Sequence, residues 1–308
     1  MGKVERGIFT GVLILLLAAS GALGLTWLFS ADAAPIYRVS ILLDGSEEDY
    51  WENFMLGVDQ AAQERNVDVR TVSRYDGTDV GQAQAETLGQ ELENGFDGVI
   101  LAPVDEAALA QVLAEQPAEC AKVAVAGPRL ESDKIGCYIS ADPLEMGRKL
   151  ADAVAEGGWN ACAIYLDQSA GEAAALRLQG MAERLAELGI PCETVAASWS
   201  EELPVFPASD TALAAVEPGT TALLCRDAPE GAAIYGVGAS NDLLRHLEEG
   251  RLCALVVQCD YEAGYLSLQS LLGLIEGAGQ KDHVLDSYVV TAETMFEDPM
   301  NQILFPIS

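Results

Sequence analysis

The sequence predicts an α/β protein built from two successive lobes behind an apolar amino-terminal segment. Three observations carry that expectation. After residue 36, runs of strand formers alternate with segments whose apolar residues recur at helical spacing. The alternation breaks at Ala141-Asp142-Pro143 and then begins afresh. At 308 residues the chain is long enough for two substantial cores.

The first 34 residues stand apart. From Gly7 to Ser30 no charged side chain occurs across 24 residues. At a helical rise of about 1.5 Å that length covers roughly 36 Å and crosses a bilayer. Lys3 and Arg6 precede the span and a heavily acidic chain follows it, which orients the bulk of the protein outside the cytoplasm. An uncleaved anchor and a signal peptide both fit, the second because Ala31-Asp32-Ala33 resembles a small-residue cleavage site. No cysteine near the end of the segment offers a site for lipid.

Next, Tyr37 to Leu43 reads as a strand, and Phe54, Val58, Ala61 and Ala62 as the apolar stripe of a helix ending near Arg65. "VDVRTVS" (67–73) is the second strand, and Ala85, Leu88 and Leu92 stripe the second helix, which Gly95 stops. The third strand, Gly98 to Ala102, runs into Pro103 and Asp105 before a helix carrying Leu109, Val112 and Leu113; Lys122 to Ala126 is the fourth strand. Strands separated by helices of this length pair in parallel through right-handed crossovers.

After "CYIS" (137–140) the same grammar resumes. Met146, Leu150 and Val154 stripe a helix, "ACAIYL" (161–166) is a strand, Leu178, Met181, Leu185 and Leu188 stripe another helix, and "CETVAA" (192–197) is a strand. Ser198 to Asp210 reads as a proline-bearing loop. "TALLC" (221–225), "AAIYGV" (232–237) and "CALVVQ" (253–258) read as short buried strands. A long helix runs from Tyr261 to about Gly277, and a late strand near "SYVVT" (287–291) closes the pattern.

Composition excludes some functions. The formal net charge is −31, from 48 acids against 17 Lys plus Arg, so the surface repels phosphate backbones and nucleic acid is no partner. The seven cysteines are scattered singly beside apolar runs with no Cys-x-x-Cys pair, the pattern of buried thiols rather than of a disulfide framework or a metal site. No cofactor motif occurs: "GVGAS" (236–240) lacks the Gly-Lys-Ser/Thr ending of a phosphate loop. His246 and His283, the two histidines, sit among surface-type charges without the geometric partner a general base needs. The chain reads as a non-enzyme.

Five fragments in order, "ILLDGSEEDYWENFMLGVDQAAQERNVDV", "FDGVILAPVDEAAL", "YISADPLEMGRKLADAV", "RLQGMAERLAELGI" and "ALVVQCDYEAGYLSLQSLLGLIEG", resemble the periplasmic sugar-binding proteins of the ribose-binding type, from about Tyr37 to Thr291. The resemblance implies two Rossmann-like lobes with parallel sheets, joined by three crossings near Ala141–Asp142, Gln258–Cys259 and Ser287–Tyr288. It places residues 35–141 plus 259–287 in the first lobe and 142–258 plus 288–308 in the second, behind a segment at 1–34. It implies closure on a small solute, sugar-like or divergent, for delivery to an ABC-type permease. A membrane-tethered sensor or interaction module, and a degenerate scaffold that binds nothing, are the alternatives. The DNA-binding relatives with the same core are disfavoured, because an apolar span stands in place of a helix pair.

The same resemblance nominates the site. Tyr50 and Trp51 match an aromatic pair after the first strand, where ring faces stack on apolar ligand surfaces. Asp105, with Pro103, matches the family's turn at the lip of the cleft, although Pro and Asp there serve a helix start equally well. Gly127 and Pro128 stand where the family has Asp-Arg, with Arg129 one residue late. Ala175 replaces a ligand-binding Arg, Arg177 matches a second, more structural one, and Gly238 replaces an Asp. Arg226 and Asp227 match an Asn-Asp pair, the chain lacks about one helix between Asp227 and Ala232, and Gln258 is kept at the hinge. The expected ligand set is therefore Tyr50, Trp51, Asp105, Arg129, Arg226, Asp227 and Gln258, with no metal and no cofactor. So reduced a set of polar partners discriminates poorly between ordinary aldoses.

Overall fold

A computed structural model of the chain describes residues 2, 36–45, 48–75, 79–117, 122–198, 206–207, 210–279 and 281–306. The span from Gly7 to Ser30, Cys120 and most of the loop from Ser198 to Asp210 lie outside the described residues. No helix among the described residues is long and apolar enough to cross a membrane.

Two six-stranded sheets organise the described chain. The first takes β1 (Tyr37–Leu42), β2 (Val67–Val72), β3 (Gly98–Leu101), β4 (Lys122–Ala126), β5 (Ile135–Ala141) and β11 (His283–Leu285), in the spatial order β11-β5-β4-β3-β1-β2. The second takes β6 (Cys162–Asp167), β7 (Cys192–Ala197), β8 (Ala212–Ala215), β9 (Ile234–Val237), β10 (Ala254–Gln258) and β12 (Ser287–Val290), in the order β12-β10-β9-β8-β6-β7. The two orders are the same. The chain changes sheet after β5, after β10 and between β11 and β12.

Each strand pair is parallel except β10 with β12, where Gln258 faces Ser287. The parallel strands of the second sheet end at the crossings, and β12 begins there, so it can only run away and is antiparallel. Central strands such as β3 and β8 are buried throughout, while the edge strands β2 and β7 are half open, as two-sided cover by helices demands.

Helices α1 (Glu52–Arg65) and α8 (Asp260–Ile275) share one face of the first sheet, and α2 (Val80–Glu93) and α3 (Glu106–Glu115) cover the other with Leu88, Leu109 and Leu113 fully buried. In the second lobe α4 (Pro143–Glu156) and α5 (Glu172–Glu187) pair on one face. There α6 (Pro218–Asp227), α7 (Asn241–Glu248) and α9 (Met300–Leu304) take the other. Asp79, Asp105, Asp142 and Ser240 accept backbone N–H groups at the starts of α2, α3, α4 and α7, which satisfies donors that the first turn leaves unpaired.

The paired helices cross at glycines. A Cβ on Gly57 would lie 2.0 Å from the Tyr261 carbonyl oxygen, and one on Gly264 1.9 Å from that of Phe54. In the second lobe, Gly147 would meet the Arg177 oxygen and Gly180 the Leu144 oxygen, each at 2.0 Å. Backbone lies on backbone at both crossings, close enough for Cα–H···O contacts.

Several expectations change. "TALLC" is not a strand but the body of α6; its Leu224 and Cys225 are buried at helical spacing, and the preceding Glu217-Pro218 starts a helix. The helix expected to be missing after Asp227 is therefore present before it. The strand β8 is the Ala-rich "ALAA", which has weak strand propensity and was not expected; β11 and α9 were likewise not expected. Six described cysteines are free, of which Cys137, Cys162 and Cys225 are buried with thiols pushed up to about 12 by desolvation. Cys192 and Cys253 are exposed rather than buried.

Replacing Gly57 or Gly180 by Ala forces two backbones apart, and each change is expected to lower unfolding stability by about 2–4 kcal/mol. Gly219→Ala, where nothing lies within 4 Å and φ is not positive, is expected to stay within about 0.5 kcal/mol of the parent. Urea unfolding followed by tryptophan fluorescence measures all three.

Candidate ligand-binding cleft

The carboxyl ends of the two sheets face one another across a cavity of about 310 Å³. It opens where the strand order reverses, between β1 and β3 and between β6 and β8. Helices leave in opposite directions at such points, so a crevice forms without any special side chain.

In the first lobe a fully buried amide spans the crevice. Gln84 on α2 donates through Nε2 to the carbonyls of Leu43 (2.8 Å) and Ala102 (2.7 Å) and accepts the Val104 N–H at 3.0 Å. It ties the end of β1 to the end of β3 and shapes the turn through Pro103. Asp105 then caps α3, accepting from Ala107 and Ala108 at 3.0 Å each. Of this turn, Pro103, Val104 and Glu106 line the cavity and Asp105 does not.

The second lobe uses a charge for the same tie. Glu217, at the end of β8, accepts the Asp167 N–H at 2.8 Å through Oε2, which also takes the Thr220 hydroxyl at 3.2 Å. Arg177 on α5 donates through Nε to the Val216 carbonyl at 2.6 Å. Burial pushes the Glu217 carboxyl up and makes the Arg177 guanidinium less basic, and their mutual attraction offsets part of each effect.

An aromatic wall comes from the 3₁₀ turn Glu48–Trp51 and the first turn of α1. Trp51 packs edge-on against Tyr50 (5.1 Å between centroids) and Phe54 (5.2 Å), and its indole N–H donates to Asp44 at 2.8 Å. Tyr50 loses solvent and sits near the Asp260 and Asp44 carboxylates, and all three effects make its phenol harder to ionise.

At the hinge, Gln258 accepts the Ala141 N–H and donates to Asp260, both at 3.0 Å, and so joins the first crossing to the second. Burial pushes the Asp260 carboxyl up to about 6, against the lowering effect of that Gln258 bond. Gly127 and Gly238, at the ends of β4 and β9, line the cavity with φ of +137° and +108°, where an L side chain is strained. They occupy the places from which Asp side chains were expected to reach a ligand.

The two lobes touch across the mouth. Asn53 donates to the Leu304 carbonyl and Asn241 to Glu52, both at 2.9 Å. Glu106 lies against Gly171 at the start of α5, where the helix favours a negative charge.

Of the seven expected ligand residues, the structure brings Tyr50, Trp51 and Gln258 to the cavity. Arg129 lines an adjoining cavity of about 290 Å³ by the hinge, ion-paired to Asp282 and stacked 4.4 Å over the Tyr138 ring. Arg226 and Asp227 pair with each other at the far end of α6, about nine helical rises (roughly 14 Å) from the cavity-lining Pro218. Their placement follows the corrected start of α6. The residues not expected are Asp44, Phe54, Glu106, Glu217 and Asp260, and Arg177 lines the cavity although a structural role was expected of it. One signal was available: "ALAAVEP" repeats the buried-run, proline and acid grammar of "GVILAPVDE".

Paired parallel sheets, three crossings and a cleft at both switch points define the two-lobed architecture of the periplasmic binding proteins. The family described as periplasmic binding protein domain matches residues 39–280, and the chain belongs to it. Among curated proteins none matches by sequence. Solved structures share the fold at low identity. A Burkholderia graminis C4D1M ABC transporter solute-binding protein in complex with D-arabinose is 17% identical, covering 86% of this chain and 99% of that one, with a TM-score of 0.73. GanP, a glucose-galactose binding protein from Geobacillus stearothermophilus, is 17% identical over 85% of this chain and 99% of that one, at 0.71. The substrate-binding protein of a Bordetella parapertussis 12822 sugar ABC transport system is 17% identical over 89% and 94%, at 0.74. The relatives are binding proteins and the chain is not an enzyme.

Because the Asp260 carboxyl is raised in the fold, its contribution to stability is full below about pH 4 and is lost as pH rises through about 6. Asp260→Asn keeps an acceptor for Gln258 and cannot ionise. The variant is expected to match the parent near pH 4 and to exceed it by about 1–3 kcal/mol at pH 7, measured by urea unfolding at both pH values.

Proposed function

We propose that this chain is an extracytoplasmic solute-binding protein that closes on a small ligand, sugar-like or divergent from a sugar, and delivers it to an ABC-type permease. One observation carries the reading: a cleft lies between two lobes that are joined by three crossings and that touch through Asn53–Leu304 and Asn241–Glu52. The lobes are residues 35–141 with 259–287 and residues 142–258 with 288–308, a partition supported by the sheet changes after β5, β10 and β11. The span from Gly7 to Ser30 keeps the protein in the cell envelope, as an anchor or an export signal. Tyr50, Trp51 and Gln258 contact the ligand, with Arg177 and Glu217 facing them from the second lobe.

Closure is an equilibrium that a ligand biases by binding the closed form more tightly. A true ligand at a hundredfold excess over its dissociation constant is expected to stabilise the protein by about 2.7 kcal/mol, and to shrink it in small-angle X-ray scattering. Trp51→Ala is expected to weaken that ligand tenfold or more in calorimetry. A panel of sugars, polyols and nucleosides that leaves both melting temperature and scattering unchanged would favour the non-binding scaffold.

A further inference from the structure

Two thiols of the second lobe stand side by side on neighbouring strands. Cys162 opens β6 and Cys192 opens β7, and the two are partners in the parallel register. Register partners lie on the same face of a sheet, because side chains alternate along both strands together. The next pairs agree with this. Tyr165 and its partner Val195 both pack into the core under α6 and α7, so Cys162 and Cys192 share the opposite face, toward α4 and α5.

Strand spacing sets their separation. Adjacent strands run about 4.8 Å apart, inside the range of about 4.4–6.8 Å between Cα atoms that a disulfide bridges. Cβ atoms that inherit this spacing must approach by about 1 Å to reach the mean of a disulfide. Because β7 is the edge of its sheet, held by β6 alone among the described strands, it can give that distance. Burial pushes the Cys162 thiol up to about 12 and the nearby Cys192 adds to the rise, which places the two sulfurs within electrostatic reach.

The other described thiols are out of range. Cys253 stands just before β10, four strand spacings from β7, or roughly 19 Å. Cys225 packs on the opposite face, Cys137 belongs to the first sheet, and Cys259 lies past the carboxyl end of β10. Access to the pair is asymmetric, since Cys192 is exposed and Cys162 only 1% so. An oxidant meets Cys192 first, and its strand partner completes the bond.

We infer that Cys162 and Cys192 are a disulfide-forming pair that pins the edge strand β7 to β6 when the protein meets a small-molecule disulfide as oxidant. Cys192 loses its proton and its sulfur attacks one sulfur of the oxidant, whose S–S bond breaks and releases the first thiol. Cys162 then loses its proton and attacks the Cys192 sulfur, expelling the second thiol. Two protein thiols are oxidised, the oxidant is reduced to two thiols, and the two protons end on them. The bond closes a loop over residues 163–191, which includes α5 and Arg177, and so removes freedom from the unfolded chain. The site lies at the amino ends of the strands, away from the cleft at their carboxyl ends, and the inference is independent of what the cleft binds.

Full-length protein in detergent, fully reduced and then held with oxidised glutathione at pH 8, tests it. After alkylation, trypsin and a glutamate-specific protease separate Cys192 from Cys225. Mass spectrometry is expected to find the Cys162 and Cys192 peptides joined, and a phosphine reductant to release them. The melting temperature is expected to rise by about 5 °C over the reduced protein. Cys192→Ser is expected to abolish both changes, and Cys253→Ser, which removes the other exposed thiol, to keep both. Glutathione left in place on Cys192, or Cys192 joined to Cys120, to Cys253 or to a second copy of the chain, overturns the inference. A joined pair that melts with the reduced protein overturns it too, because the edge is then not pinned.

Discussion

The cleft depends on two places where one helix backbone rests directly on another. Gly57 and Gly264 let α1 and α8 cross within reach of each other's carbonyls, and Gly147 and Gly180 do the same for α4 and α5. These contacts set more than packing. The first brings the start of α1, with Tyr50, Trp51 and Phe54, beside the start of α8 at Asp260. The second lays the backbone at Arg177 against α4, close to the cavity-lining Met146. A Cβ at any of these glycines would lie 1.9–2.0 Å from a carbonyl oxygen, so the paired helices must separate by about 1 Å or more and the cavity walls move with them.

Each lobe then solves one problem with a different group. A switch point leaves two strand ends adjacent but uncovered, and something polar must tie them. The first lobe uses Gln84, neutral and fully satisfied through both ends of its amide. The second uses Glu217, whose charge is opposed by burial and favoured by the Asp167 N–H and the Thr220 hydroxyl it accepts, with a smaller contribution from Arg177. Among the described residues lining the cavity, Arg177 is the cation, and it lies near both Glu217 in its own lobe and Tyr50 in the first.

The hinge belongs to the same network. Gln258 holds the first crossing to the second through Ala141 and Asp260, and Lys149 on α4 donates to the Ser287 carbonyl at 2.6 Å, which ties α4 to the third. Ligand-facing groups and hinge groups are thus neighbours in the chain and in space. A change of charge at Asp260 is felt at the crossing itself, which gives a solute a physical route to the relative position of the lobes.

By itself the sequence determined the fold class, the order of most strands and helices and the restart after Ala141, because these depend on local periodicity and on chain length. "KVAVA" and "CETVAA" match β4 and β7 residue for residue, and the stripe of Leu88 and Leu109 is the buried face it promised. It also led to Tyr50, Trp51 and Gln258, which lie next to legible landmarks. Tertiary structure alone decided the rest. "ALAA" is a strand only because neighbours β6 and β9 flank it on both sides, and "TALLC" is a helix only because Pro218 starts one there. Once that boundary moves, Arg226 and Asp227 leave the site and Glu217 enters it. Asp44, Arg177, Glu217 and Asp260 are far apart in sequence and carry no shared local pattern. They meet because two sheets aim their carboxyl ends at one space, an arrangement set by long-range packing that no window of residues contains.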